Sequence, residues 1–518
     1  MNRKKNEKGV ALILALILML IISVMAVSLM FISQTETWAS MNYKLMSQAR
    51  DGAEAGINAA ANYLINTYTP PASTGTDTLS SYNYNVSAVQ YPPANSGNHD
   101  VVLATSNSKK ANNYPVSSVV TAFQGAAQGN LTAGNATVAY STSARLLSME
   151  QVTPWGTTIP VTVQTWQITS DGTISGVRAA DEELSAVLEK QVTPVFTYAA
   201  FATANGCGAL NFGGGGHTDS YNSGNLTMSG GVPVTTAGNG NVGTNGNLAE
   251  NGGTTTINGN LSTPRTGTGS CSSGNVTAWT NSNGTVTGGM VELPQQVVYP
   301  NPDAPNPAPP TTSITLDNSA GNCGGVIGCT YGTGAPPGGN GCPSGDFCLA
   351  PGICPPLTGG PVNTTLGGLY GNLTVKGTVH LSSGCYNINS LTENGQGTIT
   401  VDSGPAVVNV AGSGVSTPVD LTGGGLINNA GWGPQMFQLM YAGTGTINIK
   451  GGANSIGLLY APNATLSFNS AGGDWYGAVI TGSMTDMGGA TINYDINLRK
   501  QAVTVGSWML DSFTWKKN

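Results

Sequence analysis

The feature that most restricts this chain is an uninterrupted apolar run from Val10 to Ile32, broken only by Ser23 and Ser28. Lys4, Lys5 and Lys8 precede it, and no charged side chain lies between Lys8 and Glu36. At ~1.5 Å per residue the run covers roughly 34 Å, enough to cross a ~30 Å hydrocarbon core. Its length exceeds the 7–15 residues of a signal-peptide core. A retained span with a cytoplasmic N-terminus is therefore expected from the basic flank. The helical pattern continues past the run. Met41, Leu45, Ala49, Ala53, Ile57, Ala61 and Leu64 recur every three or four residues, and the first proline is Pro70. One helix of roughly 90 Å results, lipid-soluble in its first half and amphipathic in its second.

Composition bears on what this helix carries. Charged residues are 8 % of the 518, against 73 glycines, and the net charge is −7. Gly, Ser, Thr and Asn in this abundance suit turns and thin stacked strands better than helical bundles. With 18 Lys and Arg and no basic stripe, nucleic acid is disfavoured and not expected as a partner. Eight cysteines, Cys207, Cys271, Cys323, Cys329, Cys342, Cys348, Cys354 and Cys385, lack any C-x-x-C pair, and the three histidines are isolated. That pattern disfavours zinc and predicts disulfides in an oxidising compartment, with connectivity left open. No metal or cofactor is expected.

Lys8-Gly9 immediately before Val10 resembles the processing site of type IV prepilins. Gln48–Leu64, with Ala49 through Gly56 reading Ala-Arg-Asp-Gly-Ala-Glu-Ala-Gly, resembles the alanine-rich A-x-x-A-E-A-G stretch of PilX-type minor pilins. The resemblance covers about residues 1–70. It implies a leader 1–9 removed between Gly9 and Val10 by prepilin peptidase, and a retained helix 10–67 whose membrane half is 10–32. It also implies other pilins and minor pilins as partners, and residence in the inner membrane before transfer to a pilus or the cell surface. Major pilins carry glutamate at the fifth mature position, where this chain has Leu14. An assembly helix marked by Leu14, Glu36, Ala49, Glu54 and Gly56 but lacking that glutamate points to a tip-located or initiating subunit, since a buried unpaired charge is costly.

Beyond the helix, residues 68–198 are expected to form a pilin-like α+β head. Ala136–Ser148 and Ile159–Ser170 read as strands, Asp171-Gly172 as a two-residue turn, and Val177–Val192 as a strand of the closing hairpin. Val116–Gln124 reads as a short helix or strand. Glu182, Glu183 and Glu189 are expected on a solvated strand face. From about 200, Gly-Asn-Leu/Val motifs recur at residues 224, 240, 246, 259, 274 and 371, and Gly457–Asn463 aligns with Gly477–Ser483 at an offset of 20. Gly451-Gly452 aligns with Gly472-Gly473 within a residue. A period near 20 predicts an all-β, right-handed β-solenoid, with Gly and Asn at left-handed corners. The expected divisions are a glycine-rich β region 199–293, a proline-rich linker 294–312, a cysteine-rich loop 313–360 and a solenoid 361–518, its end capped by Val503, Val505, Trp508, Leu510, Phe513 and Trp515. The segment 458–480 also resembles the glycine-rich module joined to PilX-type N-termini.

Two function classes follow. The first is a minor pilin-like subunit, non-enzymatic, that primes or terminates a fibre and displays its head to a surface ligand. The alternative is an anchored carbohydrate-binding or polysaccharide-degrading β-helix. Glycosidase chemistry needs paired carboxylates, yet beyond residue 200 no two acids are adjacent or at D-x-D spacing. Asp474 and Asp495 could meet on neighbouring rungs around calcium. His217, Asp219 and Ser220 form a triad only by composition.

Overall fold

The computed structural model describes all residues except 1–6, 92–98, 134–135, 177–178, 252–254, 281–283, 334–340, 355–367, 429–430, 451–452, 469–472 and 518. Two compact units emerge. The first comprises residues 1–151, 162–191 and 506–518, the second 152–161 and 192–505.

In the first unit, α1 spans Glu7–Asn66. Its residues 10–44 are exposed, whereas Ala49, Ala53, Ile57, Ala60, Ala61 and Leu64 are buried. Those six lie on an antiparallel sheet built around the long strands Ala136–Val152, Val161–Ile174 and Ala180–Pro194. The second helix, α2 (Ser117–Ala126), resolves the ambiguity at 116–124 and buries Phe123 edge-on against Tyr63. Asp171-Gly172 is not a turn. It sits mid-strand, with Asp171 opposite Glu183 and Gly172 opposite Glu182. The dipeptide looks like turn chemistry, but this glycine answers a packing demand: a Cβ on Gly172 would lie 1.9 Å from the Ala49 carbonyl oxygen.

Alternation along Ala180–Pro194 places Glu182 among buried Leu184, Ala186 and Leu188, while Glu183 and Glu189 take the opposite face. Of the three glutamates, Glu182 thus departs from the solvated face expected of it. The C-terminal strand Val503–Lys517 also departs from expectation. Rather than capping rungs, it adds to the sheet beside Ala180–Pro194, with Trp508 and Leu510 packed on the first unit's core. An unpaired strand edge needs backbone partners, and this one obtains them from the far end of the chain.

The second unit is a parallel stack. Gly457 pairs with Gly477 and Leu458 with Ala478, the expected offset of 20, while the 451–452/472 alignment lies outside the described residues. The strands Gly384–Glu393, Ala406–Val410, Phe437–Tyr441, Ser455–Phe468, Thr446–Ile449 and Val419–Leu421 close a ring of six parallel strands. Ring closure follows because the first and fourth are long enough to pair with two neighbours along one edge.

The stack does not begin at an end. Ala200–Ala202 pairs on one side with Val242–Thr244 and on the other with Val479–Thr481. From this middle position the chain builds outward through Leu261–Thr263 to Met290–Glu292. It then restarts at the opposite end with Ser313–Leu316 and returns rung by rung to close against Ala200–Ala202. The described residues of 199–293 and 368–505 are therefore parts of one body, not consecutive domains. The proline-rich segment is a strap along that body. About ten inter-strand steps of ~4.8 Å separate its ends, which about twenty residues of extended polyproline geometry can span.

Four of the six Gly-Asn motifs serve a different purpose from that expected, while Gly274 meets nothing within 4 Å and Gly224 only the Asn497 side chain. Gly240, Gly246, Gly259 and Gly371 lie outside the left-handed region. A Cβ on each would instead fall 2.0–2.8 Å from backbone of an adjacent rung or loop. Close approach, not corner geometry, requires glycine there. The residue two places on, Val242, Leu248, Leu261 or Leu373, is buried core.

Candidate assembly helix

The expected site residues fall on one continuous helix with two distinct environments. Gly9 lies within α1, and Val10 is exposed at its start, so the backbone across the expected processing point is helical. Leu14 and Glu36 are exposed on the apolar half. That half presents nearly every side chain outward, with Val10, Leu14, Leu18, Leu20, Phe31 and Trp38 each about 60 % exposed or more. As a helix long and apolar enough to cross a membrane, it satisfies the requirement by composition and length.

The second half is held by a seam of small residues. Ala49 is fully buried, Glu54 points outward, and Gly56 is buried. A Cβ on Gly52 would lie 2.3 Å from Val138 Cγ1, and one on Gly56 2.1 Å from Ser170 Oγ. Together with Gly172, these glycines let helix and sheet backbones approach more closely than side chains allow. The alanine-rich stretch is thus a docking surface for the molecule's own sheet. Gly52 and Gly172 were missed as members of it, because an isolated helical glycine and an Asp-Gly pair carry turn or breaker signals.

Polar groups at the rim lock this seam. Lys109 Nζ contacts Asp171 Oδ1 at 2.7 Å and Asp181 Oδ2 at 3.0 Å. Burial pushes the Asp171 carboxyl up, opposed by that ammonium. Beneath the helix end, Tyr82 and Tyr114 both donate to the Asp77 carboxylate, and Gln164 Nε2 donates to Tyr68 Oη at 3.2 Å.

Of the histidines read as isolated, His380 instead lies between two carboxylates, Asp346 Oδ2 at 3.2 Å and Asp402 Oδ2 at 2.8 Å, because neighbouring rungs align them. The triad and calcium candidates are not brought together. Thr218 and Ser220 are buried on their strand, His217 and Asp219 alternate to the other face, and Asp219 accepts from Asn258. Asp474 accepts from the Thr491 backbone N–H, whereas Asp495 accepts from the Ser223 hydroxyl and backbone N–H. Among the described residues no cluster of three His, Cys, Asp or Glu could hold a metal ion. All eight cysteines form disulfides: Cys207–Cys271, Cys323–Cys329, Cys342–Cys348 and Cys354–Cys385.

Residues 8–58 match the family model described as PilX N-terminal, and residues 363–501 match a domain of unknown function, DUF7305. No curated protein matches the chain. Among solved structures, the competence-associated pilin ComZ from Thermus thermophilus aligns at 13 % identity and a TM-score of 0.27, covering 92 % of this chain and 98 % of that one. The PilX-type match over residues 8–58 supports a type IV pilin-like chain, and among the described residues one helix, the apolar first half of α1, fits a single-pass anchor by length and composition.

Proposed function

We propose that the chain is a minor pilin-like subunit of a type IV pilus or related pseudopilus. It acts in priming or at the tip and displays the second unit as a ligand-binding head. The observation that carries this reading is the division of α1, outward-facing over 10–44 and sealed to its own sheet from Ala49. Such a helix has a surface that lipid solvates before assembly and neighbouring pilins cover afterwards. Leu14 in place of an acid suits a subunit that need not dock beneath an earlier one, since no buried charge is then left unpaired. In this reading the leader is cut between Gly9 and Val10 by prepilin peptidase, with the N-terminus cytoplasmic and the cysteine-bearing unit periplasmic.

The second unit is read as a right-handed β-solenoid, because parallel crossovers in one sheet take that hand almost without exception. Its role is display and not catalysis. Glu250 and Glu393, its buried glutamates, lie on separate rungs, each against its own glycine. Mass spectrometry of the protein purified from membranes tests the assignment. A mature N-terminus at Val10 supports it, and an intact leader sinks it.

A further inference from the structure

The proline-rich strap is hydrogen-bonded to the stack towards both ends and, among the described residues, not in the middle. Asn245 Nδ2 donates to the Val297 carbonyl, Tyr460 Oη to the Pro300 carbonyl at 2.6 Å, and Asn463 Nδ2 to Asn301 Oδ1. Further along, Asn387 Nδ2 donates to the Pro307 carbonyl and Asn372 Nδ2 to the Thr311 carbonyl. Between Asn301 and Pro307 it passes the rungs of Phe437–Tyr441 and Ala406–Val410, which supply it no hydrogen bond among the described residues. There a cleft of about 1020 Å³ opens between strap and stack, at the upper end of the range for small-molecule sites.

Its lining combines aromatic rings with amides. Trp155, Tyr198 and Tyr299 meet Asp303, Asn306 and Asn409 in one concavity. The rings are pre-oriented by packing: Trp155 stands edge-on to Phe196 at 4.9 Å, and Tyr299 lies 4.9 Å from Phe201. Strand register sets the floor, because Asn387, Asn409, Met440 and Tyr460 are successive partners on four rungs. One end of that column is amide and the other apolar, at a ~4.8 Å repeat. Asp303 and Asn306 are exposed on the strap and make no side-chain hydrogen bond among the described residues. Asn409 donates one amide N–H to Asn387 Oδ1, and its oxygen accepts no hydrogen bond among the described residues.

We propose that this cleft binds a neutral oligosaccharide. A sugar ring has an apolar face that stacks on an aromatic ring and a hydroxyl rim that both donates and accepts. Paired amides and one carboxylate match that rim. Acidic polymers are excluded because, among the described residues, Asp303 is the one charged residue of the lining, with no Lys, Arg or His to meet an anion. A quaternary ammonium would use the rings and Asp303, but amide donors such as Asn306 give it nothing. Rigid aromatics already ordered in the unliganded fold also lower the entropic cost of binding. The proposal gives a ligand class to the display role above, while binding itself requires neither processing nor assembly.

The test is a titration of the full chain in a polyoxyethylene detergent, whose head group carries no sugar, followed by tryptophan fluorescence and calorimetry. The probes are β-1,4-glucose, N-acetylglucosamine and mannose hexamers, a galacturonate hexamer and phosphocholine. The expected result is saturable binding of at least one neutral hexamer, weakened at least tenfold in the double variant Asp303→Ala/Asn306→Ala with an unchanged melting temperature. Asn409→Leu, on the floor, should weaken the same hexamer as well. Failure of every neutral hexamer to bind at 10 mM, on the order of the weakest useful affinity, overturns the proposal. So do equal affinity in the variants, preference for galacturonate, and displacement by phosphocholine. None of these outcomes bears on the N-terminal processing test.

Discussion

Both units of the molecule depend on glycines whose absent side chain is the point, yet they use them differently. In the first unit three glycines, Gly52, Gly56 and Gly172, form one local seam between α1 and the sheet. In the second, Gly240, Gly246, Gly259 and Gly371 recur so that each rung accepts the next. A local seam concentrates its consequences, since a single added methyl there separates a helix from the sheet it defines. A repeated contact distributes them, because a stack can bend at one rung and recover at the next. The first unit should therefore be brittle and the second tolerant.

The sharpest way to break that comparison is Gly172→Val. Its Cβ would meet the Ala49 carbonyl at 1.9 Å, contact with rigid backbone on both sides. Overpacking of this kind costs about 3 kcal/mol or more, so the first unit should lose its cooperative unfolding transition in calorimetry while the second retains its own. If Gly371→Val, 2.0 Å from the Thr312 carbonyl, proves equally damaging, the distinction between local and distributed seams fails.

Next in size is the Cys354–Cys385 bridge, which closes a separation of 31 residues and ties the loop at Gly352 to the strand Gly384–Glu393. Replacing both with Ser should lower stability of the second unit by about 3–4 kcal/mol on chain-entropy grounds. The first unit, which contains no cysteine, should melt unchanged under reducing conditions.

A comparable effect, dependent on pH, comes from Glu393. It is buried with Gly423 leaving space for its carboxyl, and burial raises its pKa from 4.5 to about 7, opposed by the backbone N–H groups of Gly425 and Gly423. The folded state thus holds a proton that the unfolded chain releases. Its contribution is fully present below about pH 4.5, is lost as pH rises towards 7, and is constant above that. At ~1.4 kcal/mol per pH unit the loss is about 3 kcal/mol. Glu393→Gln should flatten the stability of the second unit between pH 4.5 and 7 in denaturant titrations. A wild-type profile already flat across that window refutes this account.

These contrasts also show what the residues alone could and could not reveal. The 3.6-residue periodicity of 41–64 made the buried face of α1 legible, because helical burial writes itself into nearest neighbours along the chain. The offset of 20 between Gly457 and Gly477 was legible for the same reason. Entry of the chain at mid-stack was not, since Ala200–Ala202 has no feature that marks a strand paired on both edges. Nor was the destination of Val503–Lys517, whose partner strand lies more than 300 residues away in sequence. Gly172 misled because Asp-Gly reports conformational freedom, and nothing local distinguishes a glycine needed for a turn from one needed for contact. The strap's proline content predicted its extension, while its course was set by Asn245, Asn387 and Asn463, ordinary polar residues until the rungs align them.

The smallest expected effect has the opposite sign and isolates that last distinction. Gly125 lies in the final turn of α2, its φ is not left-handed, and a Cβ there would meet nothing within 4 Å. It belongs neither to the helix–sheet seam nor to the rung contacts. Gly125→Ala should then act through the unfolded chain, whose freedom it reduces, and through helix propensity. The expected gain is about 0.5–1 kcal/mol in the first unit, less if the last turn frays. Chemical denaturation should show a higher midpoint with an unchanged slope. A loss of stability would mean that glycine in this unit is needed for more than close approach, and the seam would have to be extended to α2.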